Sequence, residues 1–422
     1  MATGKTLALP AVTGNPKSGR KPRLLVLNQY YWPGLEATAH LLSELTSALA
    51  DEYDVRVVTG KLQSHPDLPH RETRDGVEIV RVNSTAFDRS QLPQRAANYA
   101  SYLFESVRQA LRSPKPDVVL CMTDPPVVAN VALVVARRFR APLVVISQDV
   151  FPEIAVELGR LPNGFLVRLL RVLVSSYLSR ADQIVAIGET MRRRLEMKGA
   201  PPEKVAVIPN WVDTSKLTPE PKRNRWSRAR KLDTRFVVMH SGNVGHAQDL
   251  DTLIRAATFL RDLDDFRAVI IGRGARHAEL TELAERLDVE DAVEFHGYQE
   301  REDLSLSLST ADVHVVGLAA GLAGYVVPSR FYGILSVGRP VIVHADEESE
   351  TARIVREVGC GIVIPPGRPE LLAAAIRDAH DGKLDLAEMG RRGREWVTTE
   401  ADVDVAVERY RQLLRKVRTG RG

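Results

Sequence analysis

The feature that most constrains the fold is an alternation between short apolar runs and longer segments with helical periodicity. The first apolar run, RLLVLN at 23–28, is followed by a helical pattern that begins near Glu36 and by a second apolar run at 55–59. Continuous apolar runs of this length are typical of strands that are buried on both faces of a parallel sheet. Strands that alternate with helices indicate strand-helix-strand units. We therefore predict an α/β protein with parallel sheets.

The alternation occurs in two series. The first series continues with predicted strands at 118–121, 143–146, 183–187 and 205–208. It ends in a polar segment at 214–234, which is rich in basic residues and has no apolar periodicity. The second series has predicted strands at 236–239, 267–271, 293–295, 313–316, 341–343 and 361–364. Because the chain is too long for one ordinary core, we expect two doubly wound, Rossmann-like domains that face a central cleft.

The domain boundaries follow from these patterns. We predict an N-terminal domain at 23–213, a linker at 214–234, a C-terminal domain at 235–397 and a last helix within 398–422. The last helix is expected to cross back over the N-terminal domain. Residues 1–22 contain four basic residues and no acidic residue, and they are expected to be a disordered leader.

The composition excludes several classes of protein. Hydrophobic residues make up 44% of the chain and charged residues 27%, as in globular enzymes. The formal net charge of +4 is matched by the charge of residues 1–22, so we expect no nucleic-acid partner. No apolar run reaches the roughly 18 residues that spanning a bilayer requires. Cys121 and Cys360 lie in separate apolar runs, which predicts buried free thiols and a cytoplasmic protein.

Each predicted domain begins with a strand that leads into a turn containing glycine. These turns are QYYWPG at 29–34 and SGNVG at 241–245. Backbone N–H groups at such a turn can hold a phosphate, and glycine permits the close approach. Neither turn has the dinucleotide-binding fingerprint, so a tight connection without a ligand is the alternative interpretation.

Further motifs extend over nearly the whole chain. They are DVFPE at 149–153, IGETM at 187–191, VIPNWVD at 207–213, IIGRG at 270–274, FHGY at 295–298, VPSRFYG at 327–333, GRP at 338–340 and GCG at 359–361. With this set of motifs and the two turns, the chain resembles a GT-B fold retaining glycosyltransferase of the large nucleotide-sugar-dependent family, glycosyltransferase family four. It most resembles the bacterial surface-polysaccharide branch.

The resemblance implies that a sugar moves, with retention, from a nucleoside-diphosphate sugar to a hydroxyl of a saccharide or a polyprenyl-linked acceptor. It implies no cofactor, because the donor is a co-substrate. The sequence also has DLD at 249–251 and DVD at 402–404, which resemble a metal-binding motif of another glycosyltransferase fold. Both lie at predicted helix starts, where aspartate caps free N–H groups, so we expect no metal. Two alternatives stay open: a nucleotide-sugar 2-epimerase of the same fold, and a non-catalytic partner subunit.

On the donor side, the resemblance places the nucleotide sugar on the C-terminal domain. Many relatives carry two glutamates with seven residues between them, but Tyr325 and Gly333 stand at those places here. We therefore expect a helix that starts at Pro328, Ser329 and Arg330 to hold the donor diphosphate. Its N–H groups and the guanidinium of Arg330 would supply the positive charge.

Arg330 is also a predicted catalytic residue, because it would stabilise the charge of the leaving diphosphate. The alternative interpretation of Arg330 is a surface ion pair. The other predicted donor-binding residues are Gly242, Asn243, Gly245, Arg273, Tyr298 and Glu350. Among these, Glu350 is expected to bind the ribose hydroxyls, and the alternative is that it binds no ligand.

On the acceptor side, Asp149 follows a predicted buried strand and is the second predicted catalytic residue. It would orient an acceptor hydroxyl or act as a general base, and the alternative is a helix cap. The predicted acceptor-binding residues are Tyr31, Gly34, Glu36 and His40. Glu36 and His40 are one helical turn apart and face either the acceptor or solvent.

The helix predicted at 163–179 is nearly apolar, apart from a polar stripe of Arg168, Arg171 and Ser175. It is either a buried packing helix or a face for the lipid carrier of the acceptor. The second interpretation predicts a peripheral contact with the inner face of the membrane.

Overall fold

The structure is a computed structural model, and it describes residues 20–34, 36–62, 64–85 and 92–420. The predicted leader lies outside the described residues, apart from its last three positions. In the described part of the chain, the strands form two sheets, one in each predicted domain. The predicted α/β fold class with two Rossmann-like domains is therefore confirmed.

The first sheet belongs to the N-terminal domain and is parallel apart from one antiparallel strand at its edge. Its described strands are β1 (Arg23–Leu27), β2 (Asp54–Thr59), β3 (Arg71–Arg74), β4 (Val77–Arg81), β5 (Val118–Met122), β6 (Leu143–Ser147), β7 (Gln183–Ala186) and β8 (Val205–Val207). They lie in the order β3-β4-β2-β1-β5-β6-β7-β8. The central strands β5 and β6 are buried along their whole length, which explains their continuous apolar runs.

Helices cover both faces of this sheet. They are α1 (Ala37–Leu49), α2 (Leu92–Leu111), α3 (Val128–Phe139), α4 (Glu153–Glu157), α5 (Phe165–Arg180) and α6 (Glu189–Met197). The buried side chains of the domain form two large clusters, which contain Cys121 on one face and Trp211 on the other.

The second sheet belongs to the C-terminal domain, and all its described strand pairs are parallel. Its strands are β9 (Phe236–Ser241), β10 (Phe266–Ile271), β11 (Val293–His296), β12 (Val313–Gly317), β13 (Val341–His344) and β14 (Gly361–Ile364). The helices that follow β8 are α7 (Arg225–Ala229), α8 (Leu250–Ala257), α9 (His277–Arg286), α10 (Arg301–Ser309), α11 (Arg330–Ser336), α12 (Glu350–Val358), α13 (Pro369–His380), α14 (Leu386–Glu400) and α15 (Val403–Thr419).

The strand order of the second sheet contains a topological switch point. The order is β11-β10-β9-β12-β13-β14, so the progression of strands reverses between β9 and β12. Ligands of open α/β sheets bind at such a switch point, beyond the carboxyl ends of the strands. Here β9 ends at Ser241 and β12 ends at Gly317. The glycine turn at 241–245 therefore begins at the switch point.

The segment predicted as a linker contains a helix that packs on the C-terminal domain. The N-cap of α7 is Asn224, whose side chain accepts hydrogen bonds from the backbone of Trp226 and Ser227. Trp226 is buried together with Leu232, Val237 and other side chains of the second domain. The sequence pattern missed α7 because a helix of five residues is too short to produce apolar periodicity.

The last helix crosses back to the N-terminal domain, as predicted. Tyr410 of α15 is buried in the N-terminal core, with its ring 5.7 Å from that of Trp211. The two segments that connect the domains also pair with each other. Val212 donates its N–H to Ala401 and accepts from the N–H of Val403, each at 3.0 Å. The crossing is therefore a two-stranded connection.

Candidate active-site cleft

The carboxyl ends of the strands in the two sheets meet at a cleft between the domains. Asp149 lies two residues after the end of β6 in the N-terminal domain. It forms an antiparallel bridge with Val326 of the C-terminal domain, and the N–H of Val150 donates to the carbonyl of Tyr325 at 2.8 Å. Asp149 therefore lies beside the loop that leads into Arg330.

Arg330 begins α11 and lies over the switch point of the second sheet. Its Nη2 donates to the carbonyl of Gly317, the last residue of β12, at 2.9 Å. Its side chain also lies against Gly242, which follows β9, because a Cβ atom on Gly242 would be 3.4 Å from Cδ of Arg330. The side chain thus spans the ends of the two strands between which a ligand would bind.

The charge of Arg330 has no acidic partner among the residues that the structure describes, so the surface ion pair is not formed. Its Nε is buried and makes no described hydrogen bond. Burial lowers the pKa of Arg330 to about 10, which leaves the guanidinium charged at neutral pH. Because an unpaired cation in a partly buried position is unfavourable, an anionic ligand here would stabilise the site.

Close backbone packing accounts for the glycines near this site. Gly242 has a φ of +147°, a backbone conformation that favours glycine. A Cβ atom on Gly272 would lie 1.9 Å from the carbonyl oxygen of Gly242, so the turns after β9 and β10 touch backbone to backbone. Asn243, which directly follows Gly242, is exposed.

The N–H groups of the second glycine turn are largely engaged within the protein. Gly242 donates to the carbonyl of Ile271 at 2.9 Å, and Val244 donates to the carbonyl of Arg273 at 3.0 Å. Gly245, which is buried, donates to the side chain of Gln248 at 3.1 Å. The prediction that the amides of Gly242 and Gly245 hold the phosphate is therefore corrected. Arg330 differs from these amides, because its guanidinium has N–H groups that make no described hydrogen bond.

Two buried histidines lie at or next to the ends of β9 and β13, the two strands on either side of β12. Burial and then the charge of Arg330 hold the pKa of His240 well below its usual range, so His240 is neutral at pH 7. His344 lies 3.2 Å from the carboxylate of Asp249, and its Nε2 is buried without a described hydrogen bond. Neutral His240 adds no positive charge beside Arg330.

The two Asp-x-Asp segments differ from each other. Asp402 caps α15 as predicted, because its carboxylate accepts from the N–H of Asp404 at 2.9 Å. Asp249 makes no side-chain cap on α8, because its carboxylate accepts from the hydroxyl of Thr252 and from the N–H of Gly367. In the described part of the chain, no group of three or more acidic, histidine or cysteine side chains could hold a metal ion.

The remaining predicted donor-binding residues lie along the same sheet edge. Arg273 follows β10 and Tyr298 follows β11, and both side chains are exposed. Pro328 is partly buried, and the exposed Ser329 is the N-cap of α11 but makes no side-chain cap bond. These four residues thus lie along the edge of the sheet, and none of their side chains makes a described hydrogen bond.

Glu350 does not face the switch point. Its carboxylate is almost fully buried and accepts from the N–H of Thr190 at 3.0 Å and from the hydroxyl of Thr190 at 3.1 Å. The other carboxylate oxygen accepts from Nε of Arg353 at 3.2 Å. The predicted ribose contact is therefore corrected, because both oxygens are engaged at the contact between α12 and α6.

Asp149 lies at the contact between the domains, and it is not the N-cap of the helix that follows it. The N-cap of α4 is Pro152, three residues later. The preceding residue, Gln148, is buried and forms a reciprocal pair of amide hydrogen bonds with Asn210, at 3.1 and 3.0 Å. This pair fixes the chain next to Asp149. Gln148 is not among the predicted site residues, although it directly precedes the DVFPE motif.

Tyr31 is a core residue rather than an acceptor contact. Its hydroxyl lies 2.6 Å from that of Thr46 on α1, and burial raises its pKa. Gly34 and Glu36 lie at the start of α1, and a Cβ atom on Gly34 would be 2.5 Å from a carboxylate oxygen of Glu36. A Cβ atom on Gly34 would also lie 2.9 Å from the backbone carbonyl oxygen of Tyr31, and this backbone contact favours glycine there.

His40 faces the other domain rather than the acceptor or solvent alone. Nη2 of Arg301 on α10 lies 2.7 Å from its Nδ1, and Glu44 lies 3.3 Å from its Nε2. Burial, followed by the charges of Arg301 and Lys216, lowers the pKa of His40 to about 4. Neutral His40 therefore joins α1 and α10 at the mouth of the cleft.

The helix predicted at 163–179 is α5, and it is only half buried. Val167, Val174, Tyr177 and Leu178 face the core, whereas four large apolar side chains are exposed: Phe165, Leu166, Leu169 and Val172. The prediction of a wholly buried packing helix is therefore not met. Among the described residues, no helix combines the length and the apolar composition that crossing a bilayer requires.

Comparison with known families agrees with this architecture. The family described as "Glycosyl transferase 4-like domain" matches residues 36–211, and the family "Glycosyl transferases group 1" matches residues 222–396. The second match begins before α7, in agreement with the packing of that helix on the C-terminal domain.

Similar proteins span most of the chain. The chain is 24% identical to "Probable glycosyltransferase WbjE" of Pseudomonas aeruginosa, over 93% of this chain and 98% of that protein. It is also 24% identical to WcaI of Escherichia coli, whose name refers to glycosyl transfer in colanic acid biosynthesis, over 85% and 92% of the two chains.

Solved structures show the same fold. The crystal structure of Anabaena HepE in complex with UDP superposes with a TM-score of 0.71 at 15% identity, over 93% of this chain and all of that chain. A sucrose-phosphate synthase from Thermosynechococcus elongatus superposes with a TM-score of 0.72 at 16% identity, over 94% and 99%. The chain belongs to the GT-B glycosyltransferases that join a glycosyl transferase 4-like domain to a glycosyl transferases group 1 domain.

Proposed function

We propose that this glycosyltransferase binds a nucleoside-diphosphate sugar at the switch point of its C-terminal sheet. The sugar is transferred, with retention, to a hydroxyl of a saccharide or polyprenyl-linked acceptor at the N-terminal domain. One observation carries the proposal. Arg330 is a charged side chain without a described acidic partner, and it lies at the edge of the sheet where ligands of this architecture bind.

The diphosphate of the donor fits this cation. Only Nη2 of Arg330 makes a described hydrogen bond, so its other N–H groups are the donors for phosphate oxygens. Charge-assisted hydrogen bonds of this kind are short and strong. A donor group of this sort that stabilises the leaving diphosphate typically contributes about 3 kcal/mol to lowering the barrier. Exposed Arg273 lies along the same edge and can add a second contact.

Asp149 is the group that acts on the acceptor. It lies at the domain interface beside the loop that ends in Arg330, so a hydroxyl near its carboxylate would approach a sugar held over the second sheet. The carboxylate orients this hydroxyl or takes its proton as the bond to the sugar forms. The amide pair of Gln148 and Asn210 keeps the adjacent backbone in place.

The same assignment needs no metal ion, because Arg330 supplies positive charge to the leaving diphosphate. We therefore expect transfer to continue in the presence of EDTA. A loss of transfer in EDTA that added Mg²⁺ or Mn²⁺ restores would contradict this part of the proposal.

The choice of donor is open to direct measurement. HepE has been crystallised with UDP-glucose, and a mycobacterial relative that is 26% identical over 56% of this chain is named as a GDP-mannose-dependent mannosyltransferase. A thermal-shift panel of UDP and GDP sugars would identify the ligand, since a ligand at 100 times its Kd adds roughly 2.7 kcal/mol of apparent stability. If no nucleotide sugar raises the Tm, the proposal fails.

Transfer from that donor then tests the role of Asp149. Asp149→Asn should lower kcat by about 100-fold or more, because it removes the group that orients or deprotonates the acceptor. It should leave donor binding unchanged. Asp378→Asn on α13, whose carboxylate pairs with Lys383, is the matched control and should keep wild-type turnover. Equal turnover of Asp149→Asn and wild type would remove Asp149 from the mechanism.

The exposed face of α5 supports a contact with an anionic membrane surface, where a polyprenyl-linked acceptor would be found on the cytoplasmic side. Phe165 and Val172 are 83% and 64% exposed on this face, next to the exposed Arg168. The neighbouring helix α3, joined to α5 by a hydrogen bond from Asn130 to the carbonyl of Leu173, adds exposed Val134. Apolar and cationic side chains together are typical of interfacial helices.

Sedimentation with lipid vesicles tests this contact. Wild type should bind vesicles that contain phosphatidylglycerol, and a Leu169→Ser/Val172→Ser variant should bind about ten-fold more weakly. Phe259→Ser is the matched control, because Phe259 is also an exposed apolar residue but lies in the C-terminal domain. Equal binding by wild type and the double variant would exclude α5 as the contact surface.

A further inference from the structure

The carboxylate of Glu350 joins the two domains. Glu350 is the first residue of α12 in the C-terminal domain, and only 3% of its surface is exposed. It accepts two hydrogen bonds from Thr190, which lies in the first turn of α6 in the N-terminal domain. The N-terminal turn of one domain's helix is thus capped by a side chain of the other domain.

Gly188 makes room for this contact. Gly188 is the N-cap of α6, and a Cβ atom there would lie 2.6 Å from Cδ of Glu350. Its backbone is extended, with a φ of −177°, so the backbone conformation itself does not require glycine. Glycine is needed at this position only because Glu350 packs against it.

The same helix holds the loop that ends in Arg330. Nε of Arg194 on α6 donates to the carbonyl of Ala323 at 3.3 Å, and its guanidinium lies 4.7 Å from the ring centre of Tyr325. Gly324 between them has a φ of +78°, and a Cβ atom there would be 2.9 Å from the carbonyl oxygen of Thr190. The loop at 322–327 is therefore packed against α6 in the arrangement that Glu350 closes.

We propose that Glu350, Thr190 and Gly188 form an interdomain clasp that holds the domains closed. Closure packs the loop at 322–327 against α6 and so fixes the position of Arg330 over the switch point. Glu350 is then a positioning residue, which acts on the donor site through the loop and does not touch the nucleotide. The clasp itself follows from the contacts alone, whereas its effect on turnover rests on the proposed function.

Small-angle X-ray scattering of the full chain without ligand tests the clasp independently of activity. Glu350→Ala removes the carboxylate, and Gly188→Ala places a methyl group against it, so both variants should have a larger radius of gyration than wild type. The combined variant should be no more open than Glu350→Ala, because removing the carboxylate also removes the clash. Additive opening in the combined variant, or scattering by Glu350→Ala identical to that of wild type, would overturn the proposal.

Kinetics then separate a clasp from a nucleotide ligand. Thr190→Val removes one donor of the clasp in the N-terminal domain, and it should lower kcat/KM by about ten-fold, as Glu350→Gln should. Glu357→Gln is the control, because Glu357 pairs with the same Arg353 but is exposed, and it should keep wild-type kcat/KM. If Glu350→Gln loses kcat/KM while Thr190→Val and Gly188→Ala keep it, Glu350 acts on the ligand directly and the clasp is wrong.

Discussion

At the scale of single residues, burial and partners decide between interpretations that the sequence leaves equal. Arg330 and Glu350 were both predicted to bind the donor. Arg330 is held over a switch point with its charge unmatched among the described residues, whereas one oxygen of Glu350 is bonded across the domain interface and the other to Arg353 of its own helix. The sequence places both residues near the cleft, but it carries no information on which partner a carboxylate meets in three dimensions.

On the acceptor side, too, the sequence does not show which partner a side chain meets. Asp149 was predicted from its position after a buried strand, and a strand end defines where a side chain emerges. Tyr31 follows β1 in the same way, yet its hydroxyl turns back to Thr46 on α1. A tyrosine is large and amphipathic, so its sequence position alone does not separate a core role from a cleft role.

Replacement of Tyr31 tests its core assignment. Tyr31→Phe should lower the free energy of unfolding by about 1 kcal/mol, because it removes the buried hydrogen bond to Thr46. Urea unfolding measures this change, and the KM for acceptor in the transfer assay should stay that of wild type. A raised acceptor KM with unchanged stability would return Tyr31 to the acceptor site.

The contact between His40 and Arg301 predicts a pH dependence of stability. Burial and the neighbouring cations lower the folded-state pKa of His40 to about 4, below the value of about 6.5 expected for an unfolded chain. Between these two values the unfolded chain binds more protons, so the stability that neutral His40 contributes is lost as the pH falls.

The Tm measured from pH 7 to pH 5 should therefore fall more for wild type than for His40→Asn. All other histidines are shared by both proteins, so the difference between the two curves isolates His40. His65→Asn, at an exposed position, should follow the wild-type curve. Parallel curves for wild type and His40→Asn would show that His40 is not held neutral at this contact.

At the scale of secondary-structure elements, the sequence predicts those that are long or buried on both faces. The apolar runs identify the twelve described strands other than β3 and β4, with β5 and β12 as examples, because a buried parallel strand has no polar face. The antiparallel hairpin of β3 and β4 was not predicted. Its turn is Asp75-Gly76, with φ values of 49° and 76°, and an Asp-Gly pair between strands is a strong hairpin signal.

The helix α7 is too short to be predicted from the sequence pattern. Its region is polar and rich in arginine, and this composition predicts a linker. In the structure, the segment packs on the C-terminal domain through the burial of Trp226, and a capping box at Asn224 begins its helix. A short helix held by one large side chain leaves no periodic pattern in the sequence. The presence of a tryptophan in a basic segment was the available signal.

Removal of that side chain should be costly. Trp226→Ala should lower the free energy of unfolding by about 3 to 5 kcal/mol, as expected when a large buried aromatic side chain is truncated. Arg228→Ala, an exposed position in the same helix, is the matched control and should change stability little. If Trp226→Ala unfolds at the wild-type urea concentration, the segment is a linker after all.

At the scale of the whole molecule, function depends on how two similar domains are joined. The paired crossings at Val212 and Ala401 connect the domains at one side, and Glu350 connects them beside the cleft. The alternation of strands and helices predicts two domains and a cleft between them. It does not predict the clasp or the contact of His40 with Arg301, because these depend on the relative orientation of the domains.

The proposed function depends on binding of the donor diphosphate by Arg330. Calorimetric titration measures this binding as the affinity of the protein for the nucleoside diphosphate of the identified donor. Arg330→Gln should weaken binding by about 100-fold, equivalent to roughly 2.7 kcal/mol, because charge-assisted hydrogen bonds to phosphate are lost. The variant should fold at least as stably as wild type without ligand, since an unpaired and partly buried charge is removed.

Arg356→Gln is the control, because Arg356 is exposed and pairs with Glu347. Arg356→Gln should bind the nucleoside diphosphate with wild-type affinity, whereas Arg330→Gln should lose about 100-fold in affinity. Equal affinity of wild type and a folded Arg330→Gln variant for the nucleoside diphosphate would contradict this role of Arg330.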